Sequence, residues 1–336
     1  MSAGLPVIAA LGAGRMGRGI AHVFAYAGHR VWLVDIKPRS PEEARRVERE
    51  AIAEIEVALT ALAEIGAFSA AEIPAILGRI GFAGREAAAA ALAGADYVFE
   101  GVPEVLEAKR EAFAFAAPHL GGDSVLASTT SSFLVDTLAE AAPAPERFLN
   151  AHWLNPAYVI PLVELSPGRR TEPAVLARVK LLLERIGKVP VICAAAPGYI
   201  VPRIQALAMN EAARLVEAGL ASAEDVDKAT RFGIGFRYAA MGLLEFIDYG
   251  GGDILYYASR YLAEATGEPR FAAPEIIDRN MRDGRLGLRS GRGFYDFAGV
   301  DTTAYRKDVL RRLIGQLRHV DLLLPPGEAR RRTEDT

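Results

Sequence analysis

The sequence has little cysteine and no strong charge of either sign. Cys193 is its single cysteine in 336 residues, which excludes a disulfide within the chain and fits a reducing compartment. Lysine and arginine number 39 and aspartate and glutamate 42, so the formal net charge is −3. A balance this close to zero gives no electrostatic reason to expect nucleic acid or a membrane surface as a partner.

Long apolar runs are also absent. No uninterrupted stretch is long enough to span a bilayer, and residues 1–6 lack the basic residues with which a signal peptide begins. We therefore expect a cytoplasmic protein, without a membrane partner and without a metal site. Its 336 residues, 51% of them hydrophobic, are enough for about two domains.

A glycine-rich turn follows the first apolar run, 7–11, and precedes a helical pattern. The turn consists of Gly12, Ala13, Gly14, Arg15, Met16 and Gly17. In a dinucleotide site, Gly12 permits the tight turn, Gly14 lets the backbone approach a pyrophosphate, and Gly17 lets the helix pack closely. The order of strand, glycines and helix predicts a nucleotide cofactor at this turn.

A carboxylate ends the next predicted strand, 31–35. Asp35 stands at the distance from the glycines where an acid that binds the adenosine ribose belongs. Its charge would repel a 2′-phosphate, so NAD is the expected cofactor rather than NADP. Lys37 and Arg39 follow closely, and their charges would favour a phosphate.

Two further apolar runs each contain one ionisable residue. His152 lies in 148–154 and Glu164 in 161–165. Both runs predict buried strands, and a buried ionisable group needs a partner, for which the other residue is the simplest choice. A carboxylate bound to one imidazole nitrogen raises the basicity of the other, as a general base for an alcohol proton requires. The alternative is that His152 is a structural histidine.

Strand and helix patterns alternate as far as residue 195, which predicts an α/β fold with a Rossmann-type doubly wound sheet. Strands are predicted at 7–11, 31–35, 79–82, 96–100, 125–127, 148–154, 161–165 and 189–193. The carboxyl ends of strands in an open parallel sheet meet at one edge. We expect the glycine turn, Asp35, Glu104, Thr129 to Ser131 and His152 to converge there.

The pattern becomes helical after residue 195. We predict an NAD-binding domain at 1–195, a smaller all-α domain for substrate binding and dimerisation at 196–320, and a flexible tail at 321–336. Small helical domains with wide apolar faces often bury them against a second copy, so we expect a homodimer.

Six motifs follow one another along the chain: Gly12 to Gly17, Thr130-Ser-Ser132, His152-Trp-Leu-Asn-Pro156, Leu162-Val-Glu164, Pro197-Gly-Tyr199 and Gly291-Arg-Gly-Phe-Tyr295. In their order and spacing they resemble the 3-hydroxyacyl-CoA dehydrogenase family over about residues 5–297. The resemblance implies that His152 is the catalytic base, that Glu164 orients it, and that Ser131 binds the substrate oxygen.

The same resemblance implies roles for residues around the cofactor and substrate. Asp35 matches the ribose-binding acid, and Glu104 and Lys109 match positions near the cofactor. Thr129 stands where an asparagine that contacts the cofactor is common. Asn155 is implied to support the nicotinamide or the substrate.

Two positions depart from the family pattern. Pro202 replaces an asparagine that contributes to the substrate site, and the segment 233–242 resembles the gulonate dehydrogenase and lambda-crystallin branch, which handles free hydroxy acids. In that segment Arg237 is a candidate clamp for a substrate carboxylate, because a guanidinium offers two parallel donors. A solvated or interface arginine is the alternative.

These features predict an NAD-dependent L-3-hydroxyacyl-CoA dehydrogenase, an enzyme of fatty acid metabolism. One alternative is a dehydrogenase of a free small 3-hydroxy acid, similar to gulonate or carnitine. The other is an NAD(H)-binding protein without turnover.

Overall fold

The computed structural model describes residues 4–327. Within this range eight strands form one sheet, which belongs to the first of two compact units, Met1–Ala208. The strands are β1 (Ile8–Leu11), β2 (Val31–Asp35), β3 (Ile80–Gly84), β4 (Tyr97–Glu100), β5 (Val125–Ser128), β6 (Phe148–Trp153), β7 (Leu162–Pro167) and β8 (Val189–Ile192). Each of the eight predicted strands has a counterpart in the sheet.

The strand order is β3-β2-β1-β4-β5-β6-β7-β8, which is the doubly wound order with two strands added at one edge. Strands β1 to β6 run parallel to one another, whereas β7 is antiparallel to β6, and β8 is parallel to β7. The expectation of a parallel sheet is therefore wrong for β7 and β8. The connection at 154–161 is too short for the crossover that a parallel pair requires.

Helices cover both faces of the sheet. They are α1 (Arg15–Tyr26), α2 (Pro41–Glu64), α3 (Ile73–Leu77), α4 (Ala88–Ala93), α5 (Leu106–Ala116), α6 (Val135–Ala139) and α7 (Pro173–Arg185). Alternate residues of β1 enter different core clusters, Ile8 and Ala10 on one face and Ala9 and Leu11 on the other. Burial on both faces explains why the predicted strands are continuous apolar runs.

The remaining helices end the first unit and build the second, Met209–Thr336. They are α8 (Val201–Glu217), α9 (Ala223–Ala229), α10 (Phe236–Tyr238), α11 (Leu243–Gly250), α12 (Gly252–Thr266), α13 (Glu275–Arg282) and α14 (Thr302–His319). The Rossmann-type fold followed by a helical domain is confirmed. The two units divide within α8, whereas the predicted boundary precedes it and stays a prediction.

Residues 321–327 of the predicted tail are exposed and contain no helix or strand, and residues 328–336 lie outside the described range. No helix within residues 4–327 is long and apolar enough to cross a membrane.

Candidate active site

His152 and Glu164 face each other across neighbouring strands. The antiparallel register of β6 and β7 pairs these two residues directly, which places their side chains on the same face of the sheet. His152 Nδ1 lies 2.8 Å from Glu164 Oε2. Both residues are buried, with exposed fractions of 4% and 0%. The bond orients the imidazole and leaves Nε2 free on the other side of the ring.

The second oxygen of Glu164 lies at the amino end of α8. Oε1 accepts hydrogen bonds from the N–H groups of Ile200 and Val201, at 2.8 and 2.9 Å. The first turn of a helix leaves such N–H groups without a partner in the helix, and a carboxylate is a favourable acceptor for them. Glu164 is thus held by backbone on one side and aims its other oxygen at His152.

Ser131 completes a line of three side chains. Its Oγ lies 3.1 Å from His152 Nε2, the nitrogen that Glu164 leaves free. Ser131 follows β5 in a turn, and its side chain is exposed at the edge of the sheet. A serine hydroxyl and an imidazole nitrogen side by side can bind one oxygen of a ligand and exchange a proton with it.

The turn that carries Ser131 is anchored by Glu104. One oxygen of Glu104 accepts from the backbone N–H groups of Ser131 and Ser132 at 3.0 and 2.9 Å, and from the hydroxyls of Thr130 and Ser132 at 2.5 and 2.7 Å. Burial alone would raise the pKa of Glu104, but the hydrogen bonds from Thr130 and Ser132 and the charge of Lys109 lower it to about 2. Glu104 therefore holds the turn as an anion.

Lys109 lies beneath this turn between two carboxylates. Its Nζ is 3.0 Å from Glu100 Oε1 and 3.2 Å from Glu104 Oε2. Glu100 also accepts a 2.6 Å hydrogen bond from the Ser128 hydroxyl. The side chains of Glu100, Lys109 and Ser128 are all fully buried. Sequence reasoning missed Glu100 and Ser128, although a carboxylate at the end of the apolar strand β4 was a signal for the first.

The glycine turn has the geometry that close packing requires. Gly12 has φ +114°, and a Cβ on it would come within 3.0 Å of the Gly101 carbonyl oxygen. A Cβ on Gly17 would lie 1.8 Å from the Gly12 carbonyl oxygen, so α1 packs against the turn without room for a side chain. Gly14 caps α1 without a side-chain hydrogen bond, and the first turn of α1 contains no acid. The backbone N–H groups in the first turn of α1 are therefore available for a phosphate.

A cleft of about 1110 Å³ extends along this edge of the sheet. Among the residues predicted for the site, it is lined by Gly12, Gly14, Arg15, Met16, Asp35, Glu104, Thr129, Ser131 and Asn155. Gly17 and Lys109 lie behind its surface. The donor set fits a dinucleotide, because free N–H groups lie at one point of the cleft and a carboxylate lies at the end of β2.

Asp35 is buried and is paired with Arg39. Its other oxygen accepts from the backbone N–H of Lys37 at 3.3 Å. Arg39, whose charge would favour a 2′-phosphate, is thus bound to Asp35, whose charge would repel one.

Pro202 and Arg237 belong to different parts of the chain. Pro202 follows Val201 in the first turn of α8. Proline is tolerated there because a backbone N–H in the first turn has no carbonyl partner within the helix. Arg237 lies on α10 in the second unit, where its Nε donates to the Gly233 carbonyl at 3.0 Å and its guanidinium lies 4.7 Å from the centre of the Phe246 ring.

Sequence reasoning missed two polar residues beside the imidazole. Tyr199 stacks on His152, and Asn150, two residues before His152 on β6, donates to the Tyr199 hydroxyl. Tyr199 belongs to the motif Pro197-Gly-Tyr199, for which the family resemblance implies no side-chain role. Within residues 4–327, no group of three or more His, Cys, Asp or Glu side chains could hold a metal ion.

Comparison with known proteins identifies matches along nearly the whole chain. Residues 7–196 match the family model of the 3-hydroxyacyl-CoA dehydrogenase NAD binding domain, and residues 198–297 match the model of the C-terminal domain. The crystal structure of a 3-hydroxyacyl-CoA dehydrogenase from Archaeoglobus fulgidus is 31% identical, with a TM-score of 0.74, covering 95% of this chain and 100% of that one.

Two curated relatives differ in the function that their names give. The chain is 30% identical to 5-formyl-3-hydroxy-2-methylpyridine 4-carboxylate 5-dehydrogenase of Mesorhizobium japonicum, covering 91% of this chain and 96% of that protein. It is 36% identical to the lambda-crystallin homolog of Bos taurus, covering 76% of this chain and 77% of that protein.

Proposed function

The chain belongs to the 3-hydroxyacyl-CoA dehydrogenase family, whose NAD binding domain makes it an NAD-using oxidoreductase, and on that premise we propose that it acts on an L-3-hydroxyacyl-CoA ester. The reaction is the reversible oxidation of the 3-hydroxyl group to a 3-keto group. The line of Ser131, His152 and Glu164 supports this proposal most strongly, because it supplies one hydroxyl donor and one oriented base within 3.1 Å of each other.

The side chains divide the work on the substrate. Ser131 Oγ binds the oxygen on C3, and His152 Nε2 takes the hydroxyl proton. Glu164 stabilises the imidazolium that forms, because its Oε2 already lies 2.8 Å from Nδ1. NAD, when bound, supplies the acceptor for the hydride from C3. In the reverse direction His152 returns the proton to the same oxygen.

The residues around the cleft are proposed to hold NAD. The N–H groups at the start of α1 would bind the pyrophosphate beside Gly12, Gly14 and Gly17. Asp35 would accept from the adenosine ribose. Glu104, Thr129, Arg15, Met16 and Asn155 line the cleft together with Ser131, and Lys109 would act from behind its surface through its ion pair with Glu104.

A free carboxylic acid is the second candidate substrate. The Mesorhizobium relative is named for a pyridine carboxylate. Pro202 also replaces the asparagine that the family resemblance implies for the substrate site, and it directly follows Val201, the residue whose N–H binds Glu164. In this version of the proposal Arg237 binds the substrate carboxylate.

The experiment that tests the proposal measures NADH formation on two substrate panels. One contains L-3-hydroxyacyl-CoA esters of increasing chain length, and the other contains free hydroxy acids including gulonate and carnitine. We expect turnover on the CoA esters. Turnover confined to the free acids would replace the CoA proposal with the second candidate, and NADH binding without turnover on either panel would contradict both.

Arg237→Met separates the two substrate classes. If Arg237 binds a carboxylate, the variant raises the KM for free acids and leaves the KM for CoA esters unchanged. Arg231→Met is the matched control, because Arg231 lies in the same unit and also covers an aromatic ring, that of Phe232 at 5.2 Å.

A further inference from the structure

The chain makes a sharp turn immediately before α8. Gly198 and Tyr199 have φ values of +74° and +43°, so two successive residues are in the left-handed region. A side chain in that region is strained because its Cβ approaches the backbone too closely, and such strain persists only where surrounding contacts enforce it. Tyr199 is nevertheless buried, with 6% of its surface exposed, so its contacts hold it in this conformation.

The turn holds both members of the His152–Glu164 pair. The two N–H groups that follow Tyr199, those of Ile200 and Val201, bind Glu164 Oε1. The Tyr199 ring lies parallel to the imidazole of His152, with 5.0 Å between ring centres and 2° between ring planes. The ring therefore covers one face of the imidazole while the neighbouring backbone fixes its carboxylate partner.

The Tyr199 hydroxyl reaches the third member of the site. It donates to the carbonyl oxygen of Thr130, the residue before Ser131, at 2.9 Å. It also accepts from Asn150 Nδ2 at 2.9 Å, and the same amide group donates to the Phe133 carbonyl at 3.0 Å. These bonds connect the Ser131 turn to the strand that carries His152. Burial raises the pKa of Tyr199, so the hydroxyl stays a donor at neutral pH.

We propose that Tyr199 is a positioning residue, whose ring fixes the plane of the His152 imidazole and whose hydroxyl fixes the distance between Ser131 and His152. This inference deepens the proposed function, because it takes Ser131, His152 and Glu164 as the catalytic centre. The rate of a positioned proton transfer is sensitive to such distances, since a 1 Å misplacement can lower it about 10²-fold.

A double-mutant cycle with Ser131 tests this role. Tyr199→Phe keeps the ring and removes the hydroxyl. We expect kcat to fall about tenfold, as a displacement of Ser131 by less than about 1 Å would produce, and the Kd for NADH to stay unchanged. In a Ser131→Ala background the same change should lower kcat by less than about twofold, because the serine that the hydroxyl positions is gone. Equal losses in the two backgrounds, or a wild-type kcat in Tyr199→Phe, would overturn the proposal.

Tyr158→Phe is the matched control. Tyr158 also stacks on a histidine, His22, at 4.5 Å between ring centres, and that histidine is outside the Ser131–His152–Glu164 line. We expect its kcat to match the wild type. Tyr199→Leu, which removes the ring as well, should lose more activity than Tyr199→Phe.

Amide hydrogen exchange gives a measurement that does not require turnover. In Tyr199→Phe the amides of residues 131–133 should exchange at least about threefold faster than in the wild type, because the hydrogen bond from the Tyr199 hydroxyl to the Thr130 carbonyl is lost. Unchanged exchange would overturn the proposal that the Tyr199 hydroxyl positions the Ser131 turn, even if kcat fell. His152→Ala with wild-type turnover would instead contradict the proposed function and leave the exchange result intact, so the two failures are distinguishable.

Discussion

The two nitrogens of His152 have different partners, and this difference sets the chemistry of the residue. Nδ1 lies toward Glu164 and Nε2 toward Ser131. A carboxylate at Nδ1 favours the tautomer with its proton on Nδ1, which leaves Nε2 as the acceptor. The base is therefore aimed at the position where Ser131 would hold a substrate oxygen.

Substitution of either member of the pair should reduce turnover more than cofactor binding. We expect His152→Ala to lower kcat by about 10²–10⁴-fold, the usual contribution of positioned proton transfer, with the Kd for NADH within about twofold of wild type. Glu164→Gln should lower kcat by a smaller factor, because the amide keeps an oxygen but loses the charge that stabilises an imidazolium. Steady-state kinetics and fluorescence titration with NADH measure the two quantities.

His319→Ala is the control for this pair, since His319 is exposed on α14. A parallel loss of NADH affinity in His152→Ala would mean that the histidine is structural. A wild-type pH profile in Glu164→Gln would remove the carboxylate from the mechanism.

At the scale of helices and strands, the sequence predicts those elements whose formation depends on the local pattern of apolar residues and glycines. Continuous apolar runs predicted the strands, and the glycines after β1 predicted the tight turn into α1, whose binding of a phosphate stays a prediction. The direction of β7 was predicted wrongly although the sequence contains its signal, because the connection at 154–161 is too short for a parallel pair. The local pattern does not contain the register that pairs His152 with Glu164, nor the positive φ that turns Tyr199 back onto the imidazole. Contacts between distant segments decide these two features.

The motif Gly291-Arg-Gly-Phe-Tyr295 has a structural explanation in the second unit. Asp248, near the end of α11, is buried and accepts from the N–H groups of Phe294 and Tyr295 at 3.1 and 2.8 Å. A Cβ on Gly293 would lie 2.1 Å from Asp248 Oδ1. The glycine is therefore required so that the backbone of this segment can approach the carboxylate.

Gly293→Ala should destabilise the second unit. The added methyl group must displace Asp248 or break its two hydrogen bonds, and we expect a loss of about 2–4 kcal/mol, measured by urea unfolding. Gly315→Ala is the matched control. Nothing lies within 4 Å of a Cβ at Gly315 within α14, so alanine there should raise stability by up to about 1 kcal/mol. Equal unfolding midpoints for the two variants would contradict this explanation.

The second unit exposes apolar side chains in a regular pattern. On α12, Ile254, Tyr257 and Tyr261 follow one another at helical spacing and are 63%, 60% and 71% exposed. Exposed apolar surface of this kind is typical of an interface. At the scale of the whole molecule we propose a homodimer in which a second copy covers this face, because a two-fold interface can pair one apolar face with itself.

Charge on the α12 face should separate the two copies. We expect the wild-type protein to sediment at twice the mass of its 336-residue chain, and the double variant Tyr257→Glu with Tyr261→Glu to sediment as a monomer, because burying two carboxylates in an apolar interface costs several kcal/mol. Val57→Glu is the control, since Val57 is 69% exposed on α2 in the first unit, and it should keep the wild-type mass. A monomeric wild type, or a dimer that survives both glutamates, would place the apolar face outside any interface between copies.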